Sequence, residues 1–127
     1  MSYEKGLQAE HLAAVFLAQQ GLQILHSNYR CKFGEIDLIA QDGATLCFVE
    51  VRFRASVAYG SPIDTIDGRK RRRILKTATH FLAYRLRGRP CACRFDIVTV
   101  EGTVSPVTRW WRAAFDAGND WGTFSRF

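Results

Sequence analysis

The sequence predicts an α/β fold in which helices cover a central mixed sheet. Two runs rich in β-branched and aromatic residues flank Asp42-Gly43, a strong signal for a β-hairpin. A helical pattern precedes this hairpin, and a long basic helical pattern separates it from further strand-like runs. The predicted order is α-β-β-β-α-β-β-α. With 127 residues, we expect a single domain over 1–127, with its core at about 4–115 and an aromatic C-terminal tail at 116–127.

The N-terminal part predicts one helix and one strand. From about Glu4 to Gln20, apolar residues recur at spacings of three and four, and Gly21 ends the helix. Glu10 lies on the small-residue side of that helix. The run Leu22 to Tyr29 predicts a short strand before the hairpin.

The hairpin predicts a cluster of acids. If Asp42-Gly43 is a two-residue loop, Asp37 faces Phe48 and Glu35 faces Glu50, so the three acids share one face. Like charges at such spacing destabilise a sheet, and we expect a metal ion, basic partners or protonation to offset their repulsion. The other face is predicted to be core and consists of Ile36, Leu38, Cys47, Val49 and Val51.

The second helix is predicted to be strongly basic. Asp64 or Thr65 is the expected cap, the helix runs to about Arg87, and Gly88 ends it. The bland interpretation of its charges is a solubilising surface, and the sharper one is a surface that tracks phosphates. The cations in question are Arg69, Lys70, Arg71, Arg72, Arg73 and Lys76.

The C-terminal part predicts two more strands, Cys93 to Val100 and Val104 to Thr108, with a turn at Glu101-Gly102. A short helix from Trp110 to Phe115 is expected to close the sheet. The residues after Gly118 show no period, so the pattern predicts no element there.

Composition indicates a polyanionic partner. The net charge is +6, and half of the Lys and Arg residues fall between Arg69 and Arg89. No run approaches the roughly 20 apolar residues of a membrane span, and the N-terminus lacks a signal-peptide pattern. We therefore expect a cytoplasmic protein with no membrane partner, whose four cysteines are free thiols.

Several motifs resemble the YraN family of bacterial proteins. The matching residues are Ala9-Glu10, the run Gly34-Glu-Ile-Asp-Leu-Ile, the strand from Phe48 to Arg54, and Arg94-Phe-Asp. That family is similar to the restriction-endonuclease-like, PD-(D/E)xK superfamily, which includes archaeal Holliday junction resolvases. The resemblance implies a restriction-endonuclease-like three-layer α/β/α sandwich, and a homodimer is expected on this ground alone.

The resemblance also implies a nuclease site that uses Mg²⁺ or Mn²⁺. Asp37 and Glu50 match the two acids of the superfamily pattern, Glu10 is similar to a helical acid that helps some members hold the metal, and Arg52 stands where lysine is expected. Carboxylates are the natural ligands of such a hard cation, which would polarise a phosphate and activate water. Arg54 and the cations of the basic helix would contact nucleic acid.

Arg52 departs from the family pattern, because arginine stays protonated where lysine can lose its proton. Three interpretations therefore stay open. The first is a magnesium-dependent nuclease acting on DNA, with branched or structured DNA as its substrate; the second is a catalytically inactive nucleic-acid-binding module on the same fold. The third is a structural protein whose acids pair with Arg52, Arg54 and Arg94.

Overall fold

The structure, a computed structural model, describes residues 3–56, 62–87, 89 and 91–116. Its elements in chain order are α1 (Tyr3–Gln19), β1 (Gln23–Cys31), β2 (Gly34–Asp42), β3 (Thr45–Arg54), α2 (Gly68–Arg85), β4 (Ala92–Glu101) and β5 (Val107–Phe115), with one 3₁₀ turn (Pro62–Thr65) before α2. The predicted α/β class and the order of these seven elements are confirmed. Among the residues described, no helix is long and apolar enough to span a bilayer.

The five strands form one mixed sheet whose spatial order, β1-β2-β3-β4-β5, follows the chain. β3 and β4 pair in parallel, and the other neighbours are antiparallel. Because a parallel pair needs a crossover, the segment that connects β3 to β4 carries α2.

Helices α1 and α2 cover opposite faces of the sheet. On one face, α1 packs Ala13 and Leu17 against strand residues such as Val49. On the other face, α2 packs Phe81 and Leu82 against a cluster that includes Phe48. The molecule therefore has three layers, α/β/α, with a core on each side of the sheet.

The hairpin was predicted to have one acidic face and one core face. In the middle of the strands this prediction is wrong, because both faces are core. Phe48 and Ile39 lie on the α2 side and are as buried as Leu38 and Val49 on the α1 side. Ile36, expected beside Leu38, packs instead on the α2 side, so the alternation of β2 breaks at the intervening residue. The acids Asp37 and Glu50 lie toward the end of the hairpin away from its turn, and the polar residues Gln41, Asp42 and Thr45 lie at the turn.

The predicted register of β2 with β3 is also wrong, by two residues. Asp42 pairs with Thr45, so the turn consists of Gly43-Ala44, and the pairing continues to Leu38 opposite Val49. The physical reason is that the carboxylate of Asp42 accepts a 2.8 Å bond from Arg94 of β4, which holds Asp42 in the strand. A shift of two residues leaves the faces unchanged from Leu38 to the turn, and it places Asp37 just beyond the last pair, Leu38 with Val49, next to Glu50 in the strand order.

Two further predictions are wrong. The cap of α2 is Asp67, whose side chain accepts a bond from the backbone N–H of Lys70 at 2.9 Å, and neither Asp64 nor Thr65 takes that role. The segment Trp110–Phe115 is part of β5, with no helix there. Its aromatic and apolar side chains fit a half-buried edge strand equally well, and pairing with β4 decides the outcome. The predicted tail lies outside the described residues from 117 onward.

Candidate active site

Asp37 and Glu50 meet at the end of the β2–β3 pairing. The backbone N–H of Val51 donates to Oδ2 of Asp37 at 2.8 Å, so a side chain of β2 takes up a main-chain donor of β3. Burial raises the pKa of Asp37 to about 8, and the neighbouring charge of Glu50 adds to the rise while the Val51 N–H opposes it. Asp37 is therefore largely protonated at neutral pH when no metal ion is bound.

Glu50 is almost completely buried, with 4% of its surface exposed. Burial raises its pKa, while the positive charges of Lys70 and Arg52 act in the opposite direction. The ammonium Nζ of Lys70 lies 3.3 Å from Oε2 of Glu50. A lysine of α2 thus reaches the acid of β3, although the two are twenty positions apart along the chain.

The other two predicted acids differ in their surroundings. Oε1 of Glu10 is buried and has no hydrogen-bond partner among the described residues, and the charge of Glu10 contributes to the raised pKa of Asp37. Glu35 is more exposed and forms an ion pair with Arg30 at 3.4 Å. The structure therefore places the charge of Glu10 near Asp37 and that of Glu35 near Glu50, where it adds to the raised pKa of Glu50, but Glu35 is the more exposed and is paired with Arg30.

Arg52, Arg54 and Arg94 do not form the ion pairs with Asp37 and Glu50 that a purely structural role of these acids requires. Arg54 lies 3.8 Å from the buried Glu101, and Arg94 binds Asp42 and Asp96. Arg52 acts on Glu50 electrostatically, yet its Nε is buried and makes no hydrogen bond within the described structure. The arginine pairing that would make Asp37 and Glu50 ordinary structural residues is thus absent from the described part of the chain.

The first turns of α2 carry many cations, which interact unfavourably with the positive end of the helix dipole. Its first turn contains no acid, while Lys70 and four arginines crowd the first two turns. Positive charge is unfavourable at a helix N-terminus, which attracts anions instead. Apart from the cap Asp67 and the pair with Glu50, this end of α2 therefore favours binding of a further anion.

The cations of α2 do not all face solvent. Arg69, Arg72, Arg73 and Lys76 are exposed. Arg71 is half-buried: its Nε donates to the carbonyl of Ile66 at 3.2 Å, and its guanidinium lies 5.7 Å from the centre of the Phe115 ring. Arg71 thus has a structural role, and Arg54, held by Glu101, is likewise engaged.

Comparison with known proteins identifies the family. The model of uncharacterised protein family UPF0102 matches residues 9–100, which is most of the chain. The chain belongs to that family. The predicted resemblance to the YraN family is thereby confirmed.

Curated UPF0102 relatives resemble the chain over most of its length. A UPF0102 protein of Pseudomonas aeruginosa (strain LESB58) is 45% identical over 119 residues, covering 91% of this chain and 95% of its own. The UPF0102 protein NE0719 of Nitrosomonas europaea is 46% identical over 112 residues, covering 88% and 93%. One from Chlorobium chlorochromatii is 50% identical over 98 residues, covering 77% and 74%.

The donor set of this UPF0102 chain suits a hard cation only in part. Among the residues described, no three Asp, Glu, His or Cys side chains stand close enough to surround one metal ion. Mg²⁺, however, is commonly held by one or two carboxylates, with water and phosphate oxygens completing its shell. Asp37 and Glu50 meet that requirement, and the unpartnered oxygen of Glu10 fits a third or outer contact.

Sequence reasoning missed the burial of Glu101 in the UPF0102 chain, where Glu50 and Asp96 are buried acids as well. Glu101 is fully buried and is contacted by Arg54, Arg109 and the hydroxyl of Thr99. Its signal in the sequence is a glutamate at the end of β4, directly after the largely apolar run Ile97 to Val100. Since its partners neutralise it within the fold, we assign Glu101 a structural role.

Proposed function

We propose that this chain is a divalent-cation-dependent, nuclease-like protein that hydrolyses phosphodiesters of nucleic acid. The observation that carries the proposal is the buried meeting of Asp37 and Glu50, with the Lys70 ammonium 3.3 Å from Glu50. Two buried carboxylates of raised pKa beside a lysine, under a basic helix end, suit a cation together with a phosphate. A structural role would be met more simply by apolar residues of similar volume.

Asp37 and Glu50 would hold the cation, with Glu10 assisting. A magnesium ion at these carboxylates would polarise a phosphate oxygen and activate water. Because Asp37 has a pKa of about 8, a proton must leave it when the cation binds. Cation affinity should therefore rise with pH up to about 8.

Lys70 would supply the lysine that the family pattern places at position 52. Its ammonium already contacts Glu50, and its side chain is one-third exposed, so it can face both the acid and an incoming phosphate. Arg52 cannot give up a proton and would serve only to stabilise negative charge. The Nε of Arg52 is buried and has no partner among the described residues, so Arg52 would act on a phosphate through its charge rather than through this N–H.

A second candidate is a binding module that has lost catalysis. Two observations favour it: arginine replaces lysine at position 52, and one oxygen of Glu50 is already engaged by Lys70. The exposed cations of α2 would then hold the nucleic acid without cleavage.

The test combines cleavage with cation binding. Four-way junction, flap and linear duplex DNA, each end-labelled, are incubated with Mg²⁺ or Mn²⁺ and the parent, Glu50→Gln, Arg52→Lys or Arg52→Ala. Asp116→Asn serves as a control, since it removes an exposed acid outside the site. Titration calorimetry with Mn²⁺ measures binding of the cation independently of cleavage.

We expect cleavage by the parent, with branched DNA preferred, and none by Glu50→Gln, which should also lose the calorimetric signal. Arg52→Ala should lose about a hundred- to a thousandfold, and Arg52→Lys should retain or raise activity. If parent and Arg52→Lys are inert on every substrate yet bind junction DNA, the binding module stands. If neither binds DNA, both candidates fail.

A further inference from the structure

The outward surface of α2 carries a stripe that changes character along its length. Arg69, Arg73, Lys76, His80 and Tyr84 follow one another at spacings of three and four, so they lie along one side of the helix. The stripe begins beside the acid site as a row of exposed guanidinium and ammonium groups. It ends, roughly 12 Å beyond Lys76 at about 1.5 Å per residue, in an exposed tyrosine.

The turn between β1 and β2 adds an aromatic ring to this stripe. Phe33 is 37% exposed, and the ammonium groups of Lys32 and Lys76 lie 5.2 and 6.0 Å from its centre. Gly34 fixes the turn: its φ of +148° suits glycine, and a Cβ there would approach Oγ1 of Thr77 to 3.3 Å. The ring is therefore set against α2 by a close contact between backbone and helix.

Tyr84 supplies a second flat surface. Its ring stacks on His80 with centres 4.5 Å apart and planes at 28°, and it is still 73% exposed. His80 is held from beneath by a 2.6 Å hydrogen bond with the Tyr29 hydroxyl, and its ring centre lies 6.5 Å from that of Phe33. One rigid imidazole thus joins two rings that are open to solvent.

We propose that Phe33, His80 and Tyr84, with Lys32 and Lys76, form a stacking platform for unpaired bases of single-stranded nucleic acid. Exposed aromatic rings interleaved with cations are the usual means of gripping a single strand, because every base has a flat face and every nucleotide a phosphate. Bases within a duplex are already stacked and cannot lie on these rings. This inference rests on the proposed function and narrows its substrate to nucleic acid with a single-stranded segment beside the acid site.

The bland alternative is that the lysines merely cover an exposed phenylalanine. The exposure of Tyr84 argues against this alternative, because most of this large ring lies outside the core and faces solvent. Two ammonium groups on one ring also repel each other, which a bound phosphate would relieve. The stripe leads from this ring to the Lys70–Glu50 pair without an intervening acid on α2.

The test measures binding of a fluorescent single-stranded oligonucleotide and of its duplex by anisotropy, without divalent cation so that no cleavage occurs. The variants are Phe33→Leu, which keeps an apolar side chain but removes the flat ring, Phe33→Trp, which keeps the ring, and Tyr84→Ala. Lys76→Gln is matched with Arg112→Gln, which removes an exposed charge seated on Trp110, outside the platform. Thermal unfolding verifies that each variant is folded.

We expect Phe33→Leu and Tyr84→Ala each to weaken single-strand binding about five- to 150-fold, with the duplex unaffected and Phe33→Trp close to the parent. Lys76→Gln should reduce the salt slope for the single strand by roughly 0.7, and Arg112→Gln should not. If the parent binds nucleic acid but Phe33→Leu and Tyr84→Ala bind single strands as well as it does, the platform is refuted and the proposed function survives. If the parent binds no single-stranded oligonucleotide, the platform is refuted, while the proposed function, which requires a divalent cation, is decided by the cleavage assay with Mg²⁺ or Mn²⁺.

Discussion

Asp37 is an acid whose protonated form the fold prefers. Because its pKa is about 8 in the folded chain and near 3.8 in the unfolded one, the folded state binds the extra proton between those values. Stability should therefore fall as pH rises from about 4 to 8 and level off above. Asp37→Asn, which cannot ionise, should flatten that fall and raise the free energy of unfolding at pH 8 by up to about 5 kcal/mol.

The measurement is urea unfolding of the parent and of Asp37→Asn at several pH values. Asp116→Asn is the control for removal of an exposed carboxylate. If the stability of the parent falls with pH no more steeply than that of Asp37→Asn, then Asp37 titrates normally in the fold, and the site loses its electrostatic basis.

Lys70 should matter to both stability and activity. Lys70→Gln leaves Glu50 buried without its nearest cation, which should cost about 1–2 kcal/mol, discounted because the Lys70 side chain is one-third exposed. Activity should fall about a hundred- to a thousandfold, the usual loss for one electrostatic donor. Lys76→Gln, on the exposed side of the same helix, should change stability by less than about 0.5 kcal/mol. Equal losses of stability in Lys70→Gln and Lys76→Gln would show that the contact of Lys70 with Glu50 does not stabilise the fold.

For single residues, the sequence predicted which acids lie together, but it did not predict which cations contact them. Asp37 and Glu50 could be brought together because alternation along strands survives a register error of two residues. The contact between Lys70 and Glu50 depends on where the crossover places α2, which no local pattern encodes. The same holds for Phe33, whose neighbours Lys76 and His80 come from another element.

Among the elements, β5 shows how one buried acid shapes an edge strand. Asp96 is fully buried and accepts bonds from Arg94, from Nε1 of Trp110 and from the backbone N–H of Ala113. The pairing of β4 with β5 shifts register beside it, and Ala113 has a φ of +48°. Asp96 thus holds a bulge in β5.

Two substitutions should have opposite effects on this bulge. Asp96→Ala should cost about 3–5 kcal/mol, because Arg94 and two other donors lose their buried acceptor. Ala113→Gly relieves about 1–2 kcal/mol of left-handed strain and adds somewhat less entropy to the unfolded chain, for a net gain near roughly 0.5 kcal/mol. Denaturant unfolding compares them. A destabilised Ala113→Gly would mean that the bulge is not strained.

The elements themselves were largely predictable, and the exceptions have causes. The start of α2 was expected after Asp64 or Thr65, but Gly68 is its first residue, because Asp67 before it caps the helix. Trp110–Phe115 carries residues suited to either helix or strand, and only the hydrogen bonds that Trp110 and Ala113 donate to Asp96, together with the pairing with β4, decide for a strand. Local patterns predict elements well where a single period dominates, and poorly where distant partners decide.

For the whole molecule, charge should control nucleic-acid affinity. If Arg69, Arg72 and Arg73 each contact one phosphate, replacing all three by Gln should make the slope of log K against log salt shallower by up to about 2.7 for duplex DNA. Arg71→Gln should leave that slope unchanged and lower stability instead, since Arg71 packs on Phe115 and bonds to Ile66. Anisotropy titrations at several salt concentrations provide the slopes. Parallel lines for the triple variant and the parent would assign these arginines to solubility.

The parallel pairing of β3 with β4 has a consequence for the order of folding. β2–β3 and β4–β5 are joined by short turns, whereas β3 and β4 meet only after the long crossover with α2 has closed, at a high cost in loop entropy. Asp37 and Glu50 can come together early, in a hairpin, but Lys70 reaches them only with that closure. Lys70→Gln should then accelerate unfolding and leave the refolding rate nearly unchanged. Stopped-flow measurement of both rates would show in this way that the contact between Lys70 and Glu50 forms late in folding.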